Sequence, residues 1–76
     1  MKDKQSDYEI VECFGVLSVD PDGWQLELNK VSWYGQPAEF DLRFWSKDHT
    51  EMNDGMTLTD KEAANLRDVL TKALEK

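Results

Sequence analysis

Residues 38–45 constrain the fold most strongly, because apolar and polar side chains alternate there without interruption. This two-residue period is typical of a β-strand that rests one face on a hydrophobic core. The even positions are Ala38, Phe40, Leu42 and Phe44, and the odd positions are Glu39, Asp41, Arg43 and Trp45. We therefore expect the even set to face the core and the odd set to face water.

Two further runs are predicted to be strands. Residues 8–18 are rich in β-branched and aromatic residues on both faces, which indicates a strand that is covered on both sides or bent at Gly15. Residues 56–58 form a short strand after a polar loop.

A strand is also predicted over residues 24–33, between turn signals at residues 20–23 and 34–37. Its apolar residues change phase near Asn29 and Lys30. We expect a β-bulge at that point, because a bulge reverses the faces of the residues that follow it.

The last element is predicted to be a helix that begins at a capping box, Thr59-Asp60-Lys61-Glu62. Apolar residues then recur at helical spacing, at Ala63, Leu66, Leu70, Ala73 and Leu74. The sequence therefore predicts an α+β fold in which a four-stranded curved antiparallel sheet is followed by one C-terminal helix.

Seventy-six residues suffice for one domain, which we assign to residues 8–76 after a disordered tail over residues 1–7. So small a core is marginally stable alone. Cys13 is the only cysteine and His49 the only histidine, so neither a disulfide nor a zinc site reinforces it. We therefore expect a homodimer, whose second subunit meets part of the broad apolar helix stripe, although that stripe could instead close the core of one subunit.

Several classes of function are disfavoured. No apolar run is long enough to span a membrane, and the first residues do not resemble a secretory signal. We expect a cytoplasmic location, where Cys13 stays a free thiol. No metal-ligand cluster or catalytic grouping is apparent, so we expect no metal, no cofactor and no enzymatic activity.

The formal charge of −7 disfavours nucleic acid at first, since Lys and Arg drive phosphate binding. The acidic excess lies outside the middle of the chain, however. Residues 1–23 carry −4 and residues 48–76 carry −3, whereas residues 24–47 sum to zero.

Four residues of that neutral segment form a candidate site for single-stranded nucleic acid, namely Trp33, Trp45, Arg43 and Lys30. Aromatic faces stack on unpaired bases, and cations follow the phosphates. Arg43 lies two residues before Trp45 and so shares its face of the strand. The alternative is that both tryptophans are packed beneath a loop or against the second subunit.

The chain resembles the YdbC-like bacterial branch of the transcriptional coactivator "positive cofactor four" family over about residues 8–74. The similar segments are Phe-Gly-Val-Leu-Ser at 14–18, Gly-Trp at 23–24, Glu-Leu-Asn-Lys-Val-Ser-Trp at 27–33, Phe-Asp-Leu-Arg with Trp45 at 40–45, and Gly-Met-Thr-Leu-Thr at 55–59.

The resemblance implies a homodimer whose concave sheets bind single-stranded DNA with little sequence preference, in transcription regulation or DNA maintenance. RNA is an alternative ligand. It also implies that Trp33 and Trp45 stack on bases and that Arg43 and Lys30 hold the backbone. The chain lacks lysines that the family usually carries near residues 24–27 and 35–39. A protein-interaction module of the same fold, with weak or no nucleic-acid binding, is therefore the rival expectation.

Overall fold

The computed structural model describes residues 7–75, so the tail predicted over residues 1–7 lies outside the described residues except for Asp7. The strands are β1 (Tyr8–Val19), β2 (Gln25–Trp33), β3 (Glu39–Trp45) and β4 (Met56–Leu58), and they precede the helix α1 (Asp60–Leu74). All neighbouring strands are antiparallel, in the order β1-β2-β3-β4. The predicted α+β fold, with four strands and a C-terminal helix, is confirmed.

Both predicted turns connect neighbouring strands. In the first, the N–H of Gly23 donates to the carbonyl of Asp20 at 2.9 Å, and Gly23 adopts φ 93°. In the second, Tyr34 and Gly35 both have positive φ, at 52° and 75°. Two consecutive positive φ angles are typical of the tight turn whose twist matches that of the flanking strands.

The predicted bulge at Asn29 and Lys30 is wrong, because β2 pairs with β3 in unbroken register from Gln25 to Val31. The irregularities lie in β1, where the pairing with β2 shifts between Ile10 and Glu12, between Cys13 and Gly15, and between Val16 and Ser18. Each shift leaves one extra residue in β1, and these residues are Val11, Phe14 and Leu17. Apolar side chains therefore reach both faces of β1, as the sequence indicated.

The helix begins as predicted. The backbone N–H of Glu62 donates to the Thr59 hydroxyl at 3.0 Å, and the Glu62 carboxylate accepts from the N–H of Thr59 at 2.9 Å. No described side chain of α1 is buried, however, and Leu74 is 80 % exposed. An apolar groove of about 700 Å³ lies between α1 and the sheet. The helix is thus capped but only partly covered.

The most buried side chains lie on the face of the sheet that was expected to be wet. Val31 and Trp45 are the buried apolar residues of the described chain, and Glu27, Asn29 and Asp41 are buried beside them. The even set of β3 is only partly buried. The expected assignment of faces is therefore wrong for the odd set, because Tyr8 and the loop after β3 cover it.

No helix of the described residues is long and apolar enough to cross a membrane.

Candidate nucleic-acid interface

Three of the four predicted site residues share one face of the sheet. Gln25, Glu27 and Trp33 are alternate positions of β2 and therefore point to the same side of the sheet. Their direct cross-strand partners are Trp45, Arg43 and Tyr8, and paired residues of antiparallel strands share a side. We call this surface the aromatic face and define it by Tyr8, Trp33, Arg43 and Trp45.

Lys30 lies on the opposite face. It pairs with Phe40 across the sheet, and its ammonium group lies 4.7 Å from the centre of the Phe40 ring. Its Nζ atom is also 3.3 Å from the carboxylate of Asp60 at the start of α1. The expectation that Lys30 joins Trp33 in one binding surface is therefore wrong for the single chain.

Tyr8 joins the two tryptophans of the aromatic face. Its ring centre lies 5.8 Å from that of Trp33 and 5.6 Å from that of Trp45, with interplanar angles of 44° and 46°. These distances are those of favourable tilted aromatic pairs. Tyr8 was not among the predicted site residues, although it begins the strand that pairs with the end of β2, where Trp33 lies.

Arg43 is held rather than free. Its Nε and Nη2 atoms donate to the two carboxylate oxygens of Asp41 at 2.7 and 2.8 Å, and its guanidinium carbon lies 4.6 Å from the centre of Trp33. Its side chain is 13 % exposed and that of Asp41 is 0 % exposed. Arg43 therefore presents a stacked, charge-neutralised plane to this face and not an unpaired cation for phosphates.

A second buried carboxylate, Glu27, is satisfied by three donors. It accepts hydrogen bonds from Gln25 at 2.7 Å, from Asn29 at 3.1 Å and from Nε2 of His49 at 2.8 Å. Burial alone would raise the pKa of Glu27, but these hydrogen bonds outweigh it and lower the pKa below the ordinary value of 4.5. Glu27 is therefore anionic at neutral pH.

Glu27 should make the fold sensitive to acid. Its pKa is depressed in the folded state, so its stabilising contribution is present above about pH 4.5 and is lost as the pH falls towards the folded value. We expect the urea midpoint of Glu27→Gln to fall less steeply than that of the wild type as the pH is lowered from 6 to 3. Parallel pH profiles would contradict this assignment.

Trp45 is not exposed. Its side chain is 0 % exposed, and the imidazole ring of His49 lies 5.7 Å from the indole with an interplanar angle of 32°. The Tyr8 hydroxyl also donates to the carbonyl of His49 at 3.4 Å. The expectation of a bare Trp45 is therefore wrong for this state of the chain, and packing beneath a loop, the alternative to it, describes Trp45 correctly. Trp33 is only half-buried.

Three buried polar atoms of this region have no hydrogen-bond partner among the described residues, namely Asn29 Oδ1, Trp33 Nε1 and Trp45 Nε1. A buried polar atom left unpaired costs about 1–3 kcal/mol. The two indole N–H groups are therefore donors that an added acceptor could satisfy.

An uncharacterized protein of Treponema pallidum (strain Nichols) is 46 % identical over 63 residues, which cover 83 % of this chain and 74 % of that protein. No known family model matches the chain.

Proposed function

The chain belongs to the same protein family as the uncharacterized Treponema pallidum protein, and we propose that it binds single-stranded DNA without strong sequence preference. The observation that carries the proposal is the aromatic face, where two indoles, a phenol ring and a guanidinium plane adjoin on one side of a sheet. The resemblance to the positive cofactor four family supports the same function. Transcription regulation or DNA maintenance in the cytoplasm is the proposed setting.

Stacking supplies most of the proposed binding energy. Each base that stacks on an aromatic side chain contributes about 1–3 kcal/mol, whatever its identity. Half-buried Trp33 is the first platform, and the largely buried guanidinium of Arg43 packs against its ring. Because Asp41 neutralises Arg43, we expect few counterions to be released and hence a shallow dependence of affinity on salt.

A homodimer is the second part of the proposal. The groove beside α1 is lined mainly by apolar side chains, including Leu58, Leu66 and Leu70, and α1 buries none of its described residues. A single chain thus leaves its hydrophobic helix stripe in water, which is unfavourable by about 25 cal/mol per Å². A second copy of the chain would supply the missing cover.

The direct test is a titration of the protein with oligo-dT, followed by tryptophan fluorescence. We expect quenching on binding, and we expect Trp33→Ala to weaken the affinity about tenfold or more, the effect of losing one stacking platform. Trp24→Ala is the control for the loss of another tryptophan, because Trp24 lies by the first turn beside Lys47 and Asp48 and is not one of the four residues of the aromatic face. Equal affinities for wild type and Trp33→Ala would exclude stacking on Trp33.

The rival function is a protein-interaction module of the same fold. It is favoured by the pairing of cations with carboxylates, Arg43 with Asp41 and Lys30 with Asp60. An electrophoretic shift assay with single-stranded DNA at low salt separates the two functions. A shifted band supports DNA binding, and the absence of a shift at high protein concentration supports the rival.

A further inference from the structure

A loop of this chain occupies the space over Trp45. Residues 46–53, which we call the covering loop, leave the end of β3 and return to it through a bridge between Met52 and Trp45. The covering loop brings the His49 ring to 5.7 Å from the indole, while Tyr8 contacts the same indole at 5.6 Å. These are the separations at which aromatic rings stack, so the two side chains hold positions that a base would need.

The covering loop is internally ordered. The N–H of Ser46 donates to the carbonyl of Glu51 at 2.9 Å, and the N–H of His49 donates to that of Ser46 at 2.9 Å. The carboxylate of Asp48 accepts from the Thr50 hydroxyl at 2.7 Å and from the Ser46 hydroxyl at 3.0 Å. A segment with these internal bonds can move as one unit.

The side-chain attachments of the covering loop to the rest of the described sheet are unequal, and the N–H of Asn53 also donates to the carbonyl of Phe44 at 3.1 Å. The Tyr8 hydroxyl reaches the carbonyl of His49 at 3.4 Å, and Nη1 of Arg43 reaches Met52 Sδ at 3.7 Å and the carbonyl of Asn53 at 3.4 Å. These are long contacts. The bond from His49 Nε2 to Glu27 is 2.8 Å long, and its acceptor is a buried carboxylate. It is the strongest of these side-chain attachments.

His49 also holds an unfavourable backbone conformation, since its φ of 62° lies in the left-handed region. That conformation costs a residue with a Cβ atom roughly 1 kcal/mol. The closed loop therefore depends on contacts that compensate for it, and the bond to Glu27 is the one best placed to do so.

We infer that the covering loop is an autoinhibitory lid on the stacking surface, latched by the His49–Glu27 bond. The inference rests on the proposed function. In the closed state Trp33 is half-buried and Trp45 is fully buried, and opening the lid adds Trp45 as a second stacking platform. The apparent affinity for a single strand is then reduced by the fraction of chains that are closed.

The test is His49→Asn, because asparagine tolerates positive φ but lacks the ring and its reach. We expect the affinity for oligo-dT to rise about tenfold, the effect of removing one charge-assisted hydrogen bond. Glu51→Gln is the matched control, since Glu51 is exposed and takes part in the bonds of the covering loop described above through its backbone and not its side chain. It should leave the affinity unchanged.

A second measurement reports the lid without DNA. In a chain carrying Trp24→Phe and Trp33→Phe, Trp45 is the only tryptophan, and acrylamide quenching measures its accessibility. We expect His49→Asn to increase this quenching severalfold. Unchanged quenching would overturn the latch, and increased quenching without increased affinity would overturn the inhibitory role. If neither the wild type nor the variants that keep Trp24 and Trp33 bind oligo-dT, the proposed function itself fails.

Discussion

Replacing Leu70 with aspartate is expected to abolish self-association of the chain. In the single chain Leu70 is 46 % exposed and lines the apolar groove beside α1, so a charge there would be tolerated if the chain worked alone. In a dimer that covers the groove, each subunit would bury an unpaired carboxylate. An uncompensated buried charge costs about 3–5 kcal/mol, and two copies are present in each dimer.

The measurement is the molar mass by light scattering, together with the urea midpoint at several protein concentrations. We expect the wild type to have twice the chain mass and a midpoint that rises with concentration, whereas Leu70→Asp should be monomeric and weakly folded. Asn65→Asp adds the same charge to an exposed helix position that does not line the groove, and it should remain dimeric. A monomeric wild type would refute the dimer.

Removing the carboxylate of Asp41 is expected to have the second largest effect. Asp41→Ala leaves the guanidinium of Arg43 nearly buried and unpaired, which should lower the free energy of unfolding by about 3–5 kcal/mol. For a domain of this size, a loss of even about 3 kcal/mol corresponds to a fall in Tm of more than 10 °C.

Asp68→Ala is the matched control, because it breaks an Arg–Asp pair whose side chains are 72 % and 62 % exposed. Exposed pairs contribute at most about 1 kcal/mol. The double variant Asp41→Ala/Arg43→Met should be more stable than Asp41→Ala alone, since it removes the uncompensated charge. Equal losses of unfolding free energy for Asp41→Ala and Asp68→Ala would show that the buried pair contributes no more to stability than the exposed one.

The parts of the fold that could be predicted from sequence depend on local chemistry. The alternation over residues 38–45 requires a strand, and the Thr59–Glu62 capping box fixes where the helix begins. The turn at Gly23 depends on a positive φ that glycine adopts readily. Each of these signals operates within a few residues, so tertiary contacts do not override it.

The candidate site could be predicted only in part, because its burial depends on contacts between distant segments. Asp41 has the pattern of a solvated residue, and nothing local shows that Tyr8 and residues 46–53 cover it. A closer signal was present, since an acid and an arginine two residues apart on one strand face can pair. Lys30 was predicted in the site as a cation near Trp33 in the sequence. The two residues are three apart in β2, whose pairing with β3 is unbroken from Gln25 to Val31, so their side chains lie on opposite faces of the sheet.

The pattern of β1 carried its own signal. Pairs of apolar residues at 10–11, 13–14 and 16–17 are separated by single residues that are charged or small. That period of three matches neither a helix nor a regular strand, and the register shifts occur at each apolar pair. Apolar groups were predicted on both faces of β1, but the period of three that produces them was not recognised.

The three shifts in β1 also bear on how copies of this chain can assemble. β1 is an edge strand, and a long regular edge offers an evenly spaced row of amide and carbonyl groups to a neighbouring molecule. Here that spacing is interrupted every third residue, so an incoming strand can align only a few consecutive amide and carbonyl groups with those of β1. Growth of the sheet into an endless fibre is thereby discouraged, despite the apolar side chains that β1 displays.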